Sequence, residues 1–193
     1  MNKRFLSKLE QGKGNSFLAR LFLTRRQRQV LLKWCLLAAG YLLLQVLQDV
    51  IFSRIRILGG CPDLVPGYLF LVVILLGPDS GGLFVLIASI FRSLAGAALG
   101  PVSVLLLTVG GIALSAFRRG YLCRSFQTEF LCSCIGILLH QGLLFLLGIF
   151  LGLTTWGHWL ATLGGTLGAM LACAALYPAV KAMGKIGGEA WTE

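Results

Sequence analysis

The chain has 193 residues, of which 57% are hydrophobic and only 12% charged. Soluble domains carry roughly 25% charged residues, so this composition excludes an ordinary water-soluble fold and points to a chain solvated mainly by lipid. The net charge of +10 would suggest nucleic acid in a soluble protein, but nine of the seventeen Lys and Arg lie in the first 33 residues, ahead of the apolar runs, so no nucleic-acid partner is expected.

Residues 1–29 read as a basic cytoplasmic tail. Phe17, Leu18, Leu21 and Phe22 fall at helical spacing, which suits either a short helix lying on the membrane surface or a solvated tail. Arg25, Arg26, Arg28 and Lys33 would each be drawn to anionic lipid headgroups by about 1 kcal/mol. The basic region is too long for a cleaved signal peptide, and no A-x-A-like site follows the apolar run.

A membrane domain is expected over residues 30–180, followed by a short cytoplasmic tail at 181–193. A hydrocarbon core of ~30 Å takes about 20 apolar residues per helix. Span one reads from about Val30 to Phe52 and carries Gln45, Gln48 and Asp49 towards its end. Span two, about Leu64 to Leu76, is bounded by Pro62-Asp63 and by Gly77-Pro78. Its length is roughly 20 Å at 1.5 Å per residue, so it is either tilted in a thinned bilayer, extended by the Pro62-Asp63 turn, or re-entrant. Span three reads from about Ser80 to Leu99 and is broken by Gly100-Pro101, and span four continues to about Phe117. A basic loop, 118–124, leads to span five (about Phe130 to Leu153) and span six (about Trp156 to Val180). With the N-terminus in the cytoplasm, fourteen Lys and Arg fall inside and two, Arg54 and Arg56, outside, leaving Arg92 within a span. That asymmetry fits six passes with both ends in the cytoplasm. The expected fold is therefore an all-α integral membrane protein, a compact six-transmembrane-helix bundle.

Gly96 and Gly100, Gly148 and Gly152, and Gly164 and Gly168 stand four apart, as small residues do where helices pack closely in lipid. They are expected to form packing seams within the monomer. Four of the six cysteines sit inside apolar runs, and Cys132 and Cys134 face different ways on a helix, so neither a disulfide framework nor a zinc site is expected.

Arg92 is the sharpest polar signal. An arginine at mid-helix costs ~2.5–3.5 kcal/mol on insertion scales and should face protein or a water-filled cavity. Counted from the outer ends of their spans, Gln45 and Asp49 lie at a similar depth, so Arg92 is expected to reach Asp49 with Gln45 adding a hydrogen bond. The simpler alternative is an arginine that snorkels in a locally thinned bilayer. His140, near the middle of span five, reads as a packed, hydrogen-bonded histidine, since a proton relay would need titratable partners at its depth. His158 with Trp156 and Trp159 reads as an interfacial belt. No catalytic template, phosphate-cradling loop or cofactor signature is present, and Gly77-Pro78-Asp79-Ser80-Gly81-Gly82 reads as a turn.

The order of short motifs carries further. Gln45 in the first span, Arg54-Ile55-Arg56-Ile57-Leu58-Gly59 after it, Pro62-Asp63-Leu64 opening an apolar run, Gly77-Pro78-x-x-Gly81, then Gly96 and Leu99-Gly100, together resemble the rod-shape-determining protein MreD family over roughly residues 36–150. The family's third span often carries an aspartate ahead of a G-x-x-x-G pair. Here Arg92 stands there, and Val85 and Ala88 replace small-residue positions, so the aspartate's polar contact is absent or reversed in sign. The resemblance implies a non-catalytic bacterial inner-membrane protein of the cell-elongation machinery. It would bind MreC, and through it MreB and the RodA–transpeptidase peptidoglycan synthase. It also implies a fold similar to the substrate-binding components of energy-coupling-factor vitamin transporters, which supplies a rival function. Against that rival, the first span lacks an Ala-x-x-x-Ala seam, and the outer halves of the spans look sparse in polar groups that could converge on a pocket.

Overall fold

The shortest α-helix among the described residues sits at the centre. In the computed structural model, which describes residues 25–96, 100–123 and 125–186, all thirteen residues of Leu64–Leu76 are buried. A helix that is apolar all round belongs inside a bundle, and this one touches every other long helix of the described chain. The expected span two is thus a core helix enclosed by longer neighbours, and its 13 residues need no face for lipid.

In chain order the elements are α1 (Arg25–Leu47), which continues as a π-helical turn (Gln48–Phe52), α2 (Leu64–Leu76), α3 (Pro78–Leu94), α4 (Gly100–Tyr121), α5 (Phe126–Phe150), a 3₁₀ turn (Trp156–His158) and α6 (Trp159–Gly184). No strand occurs among the described residues. Four helices are long and apolar enough to cross a membrane: α1 with its π turn, α4, α5, and α6 with its 3₁₀ turn. The expected surface helix at Phe17–Phe22, the side chains of Arg25 and Arg26, Leu99, and the C-terminal residues after 186 lie outside what the structure describes.

Both ends of α2 are set by local chemistry. Pro66 has no N–H, so the carbonyl of Pro62 is left without its helical donor, and Gln48 Nε2 donates to it at 2.8 Å. The same side chain accepts from the Leu64 N–H at 3.0 Å, so one glutamine closes the N-terminus of α2. At the other end Gly77 turns the chain with φ 92°, and Pro78 opens α3 at a position where no amide donor is needed. A side chain at Gly77 would also meet the Arg119 guanidinium.

Apolar burial supplies little drive between helices in lipid, so close approach has to hold the bundle. A Cβ at Gly81 would stand 2.8 Å from the Val73 backbone, and one at Gly136 the same distance from the Phe70 ring. Two tyrosines tie α1 to the centre: Tyr68 donates to the Leu37 carbonyl, and Tyr41 to the Ala88 carbonyl, both at 2.8 Å.

The expected seams resolve differently from one another. Gly164 and Gly168 do form one, but it receives the connection between α1 and α2: Ile57 and Leu58 lie on Gly164, and Pro62 on Gly168. Gly96 and Gly152 have positive φ and nothing within 4 Å of a notional Cβ, so both are turn residues. Their four-residue spacing from Gly100 and Gly148 crosses a helix end in each case, so it carries no helical periodicity. Gly100 itself packs on Ser93, joining the start of α4 to the end of α3.

Candidate functional site

Polar side chains gather at the two ends of α2. At its N-terminal end, which also carries the 53–63 and 151–158 connections, Asp63 stands at the N-cap of α2 and meets Arg92 from the last turn of α3. Arg92 Nη1 donates to Asp63 Oδ1 at 3.1 Å, and Nη2 donates to Oδ2. The pair is bidentate, the strongest geometry available to these two groups.

This corrects the expected partner. Asp49 is exposed on the π turn, accepting from Gln45 Nε2 at 3.4 Å, with no contact to Arg92. Depth alone suggested Asp49, but the fold-back of residues 53–63 places another carboxylate directly beside α3. Gln45 therefore does not support the arginine, and Gln48, three residues on, performs the structural work at this end.

The Asp63–Arg92 pair forms one wall of a cleft of about 440 Å³, adjoined by a second hollow of about 330 Å³. Asp63, Gln141, Thr154 and Thr162 line both. The sequence suggests that this end is sparse in convergent polar groups, and the structure shows otherwise: side chains from the N-cap of α2, from α3, α4, α5 and α6, and from the 151–155 turn meet here. Gln141 is half-buried and makes no hydrogen bond to another described residue. Ser103, also on the cleft wall, bonds His140 Nε2 at 3.2 Å. His140 is buried and packs edge-on against Phe70, as a structural histidine does.

The C-terminal end of α2 holds a second centre that the sequence does not announce. The sequence places Arg118 in a basic loop, but α4 runs on to Tyr121 and buries it. Its Nη1 donates to the Ile74 carbonyl, and its Nη2 lies 3.4 Å from Glu129 Oε1. Tyr177 donates to Glu129 Oε2 at 2.5 Å, and Lys181 donates to the Tyr177 hydroxyl at 3.1 Å. Ser115 donates to the Val73 carbonyl at 3.0 Å. The last turn of a helix leaves carbonyls without helical donors: Arg118 satisfies that of Ile74, and Ser115 adds a second donor at that of Val73, which also accepts from the Gly77 N–H. The signal legible in the sequence is Glu129: a carboxylate in the first turn of a helix, directly ahead of an apolar run, needs a cation nearby if it is buried.

Of the remaining motif residues, Pro62 packs on Gly168, Gly77 and Pro78 form the α2–α3 corner, and Gly81 and Gly100 are close-approach points. All six cysteines are free, and no three metal-ligating side chains come together among the described residues. No family model, no curated protein sequence and no solved structure matches this chain.

Proposed function

We propose that this chain is a non-catalytic membrane scaffold of the bacterial cell-elongation machinery, similar to MreD. In this reading all six helices cross the inner membrane and both termini lie in the cytoplasm, so the Asp63–Arg92 end faces outward and the Arg118–Glu129 end faces inward. The scaffold binds MreC and thereby supports peptidoglycan synthesis by RodA and its transpeptidase partner along MreB. Anionic lipid holds the basic N-terminal region.

The observation that carries the reading is where the resembling motifs sit. Pro62, Asp63, Gly77, Pro78, Gly81 and Gly100 are the joints that hold α2 and α3 in place, and none of them forms a nucleophile–base arrangement. A protein whose motif residues build its frame is one whose work is done by its surface. That surface is broad and apolar, including Leu42, Leu43 and Val46 on α1 and Leu138 and Leu139 on α5, each more than half exposed.

Affinity purification of the tagged protein from its own host in mild detergent tests the proposal. Recovery of MreC, MreB or the peptidoglycan synthase supports it. Recovery of an ATPase pair with its membrane coupling subunit, and no wall proteins, would sink it. The polar cleft favours that second reading, a vitamin-type binding component of an energy-coupling-factor transporter, because such a protein needs convergent polar groups near its outer face.

A further inference from the structure

We infer that the cleft beside Asp63 and Arg92 binds a small dipolar solute of the amino-acid class, its carboxylate against Arg92 and its ammonium against Asp63. The inference rests on the cleft alone and holds whether the protein scaffolds wall synthesis or not.

The first ground is size and composition. A hollow of about 440 Å³ falls within the ~300–1,000 Å³ range of small-molecule sites. Leu144, Phe145 and Leu153 also line the cleft and supply apolar surface suited to an uncharged side chain.

The second ground is charge. The cleft wall holds one guanidinium and one carboxylate, whose side chains keep 14% and 23% of their exposure. The wall is neutral overall and presents the two charges of a bidentate pair side by side. A ligand with a single charge gains from one pole and is repelled by the other, whereas a zwitterion aligned antiparallel gains from both. The existing pair leaves room for this: Asp63 takes one hydrogen from each Nη, so each nitrogen keeps another, and each Asp63 oxygen keeps lone-pair capacity.

The third ground is Gln141. Its amide offers donors and an acceptor at the cleft, on a helix long and apolar enough to cross a membrane, without a hydrogen-bond partner among the described residues. Thr154 adds a hydroxyl that is likewise uncommitted. Polar groups at that depth are costly unless they line a wet cavity or meet a ligand.

The test uses the full-length protein in lipid nanodiscs and titration calorimetry. L-leucine and L-phenylalanine are the zwitterionic probes. Isocaproate is leucine without its ammonium, and isoamylamine is leucine without its carboxylate. At least one amino acid is expected to bind saturably, and the two singly charged analogues to bind about tenfold more weakly or less, as loss of one charge-assisted contact implies. Gln141→Ala is expected to weaken amino-acid binding several-fold while the protein remains monodisperse, and Gln141→Glu, which upsets the neutrality of the wall, to weaken it further. Absence of saturable binding by either amino acid to the folded protein overturns the inference. So does equal binding of isocaproate or isoamylamine, or binding unchanged by Gln141→Ala.

Discussion

The two ends of α2 solve the same problem in different surroundings. Each pairs an arginine with a carboxylate contributed by another helix or its cap. At the Arg118–Glu129 end the pair is buried, with 7% and 2% of side-chain surface exposed, and it is joined to Tyr177 and to the terminal carbonyls of α2. At the Asp63–Arg92 end it borders a cleft. A charge pair enclosed by backbone acceptors and a tyrosine is part of the frame, because nothing else can reach it. A charge pair on the wall of a cavity remains open to a ligand. Burial of the neighbours thus separates a structural arginine from a candidate binding one, although both look alike as isolated charges in apolar sequence.

The contrast can be broken by substitution. The largest effect is expected from Glu129→Ala, which strips the carboxylate from the buried guanidinium of Arg118. Breaking a buried pair in this way costs about 3–5 kcal/mol, read as a lower midpoint of thermal unfolding in detergent. Next comes Gly77→Ala at the same end. Its backbone, at φ 92° and ψ 168°, lies in a region open essentially to glycine, and the added methyl meets Arg119. A loss of about 1–3 kcal/mol is expected on the same assay.

At the open end the expected effects shrink. Asp63→Asn and Arg92→Gln should each cost about 1 kcal/mol, since water in the cleft can solvate the partner left behind. A double-mutant cycle between them should show coupling, while the cycle between Arg92 and Asp49 should show none. Smallest of all, Asp49→Asn should stay within about 0.5 kcal/mol of the parent, as exposed substitutions do. Coupling between Arg92 and Asp49 equal to that with Asp63 would restore the pairing suggested by depth.

Much of the helical layout was legible because apolar runs and Gly-Pro breaks mark helix ends without tertiary information. Leu64–Leu76 was read with its observed bounds for that reason. Its role was less accessible, since length alone cannot distinguish a re-entrant segment from a core helix wrapped by longer ones. Arg92 was identified as needing a partner by simple cost. Its partner is not legible, because a fold-back connection, here the 53–63 segment seated on Gly164 and Gly168, has no periodic signature. Arg118 was missed for a related reason. A basic pair after an apolar run reads as a loop, and only the contact with Glu129, eleven residues on across a turn, shows that the helix continues and buries it. The glycine pairs mislead for a different reason: spacing by four means a shared face only while the helix persists, and Gly96 and Gly152 lie past helix ends.

The most direct measurement is thiol accessibility from each side of the membrane. With the six native cysteines replaced, Gln141→Cys would place a thiol on the cleft wall and Ser115→Cys one beside the Val73 carbonyl at the buried end. A membrane-impermeant maleimide applied to permeabilised membranes, so that it reaches both faces, should label Gln141→Cys and leave Ser115→Cys unmodified; if the proposed orientation holds, Gln141→Cys is labelled from the outer face alone. Labelling of Ser115→Cys as readily as Gln141→Cys, or silence of Gln141→Cys with both faces exposed to the reagent, would contradict the division between an open polar end and a closed one.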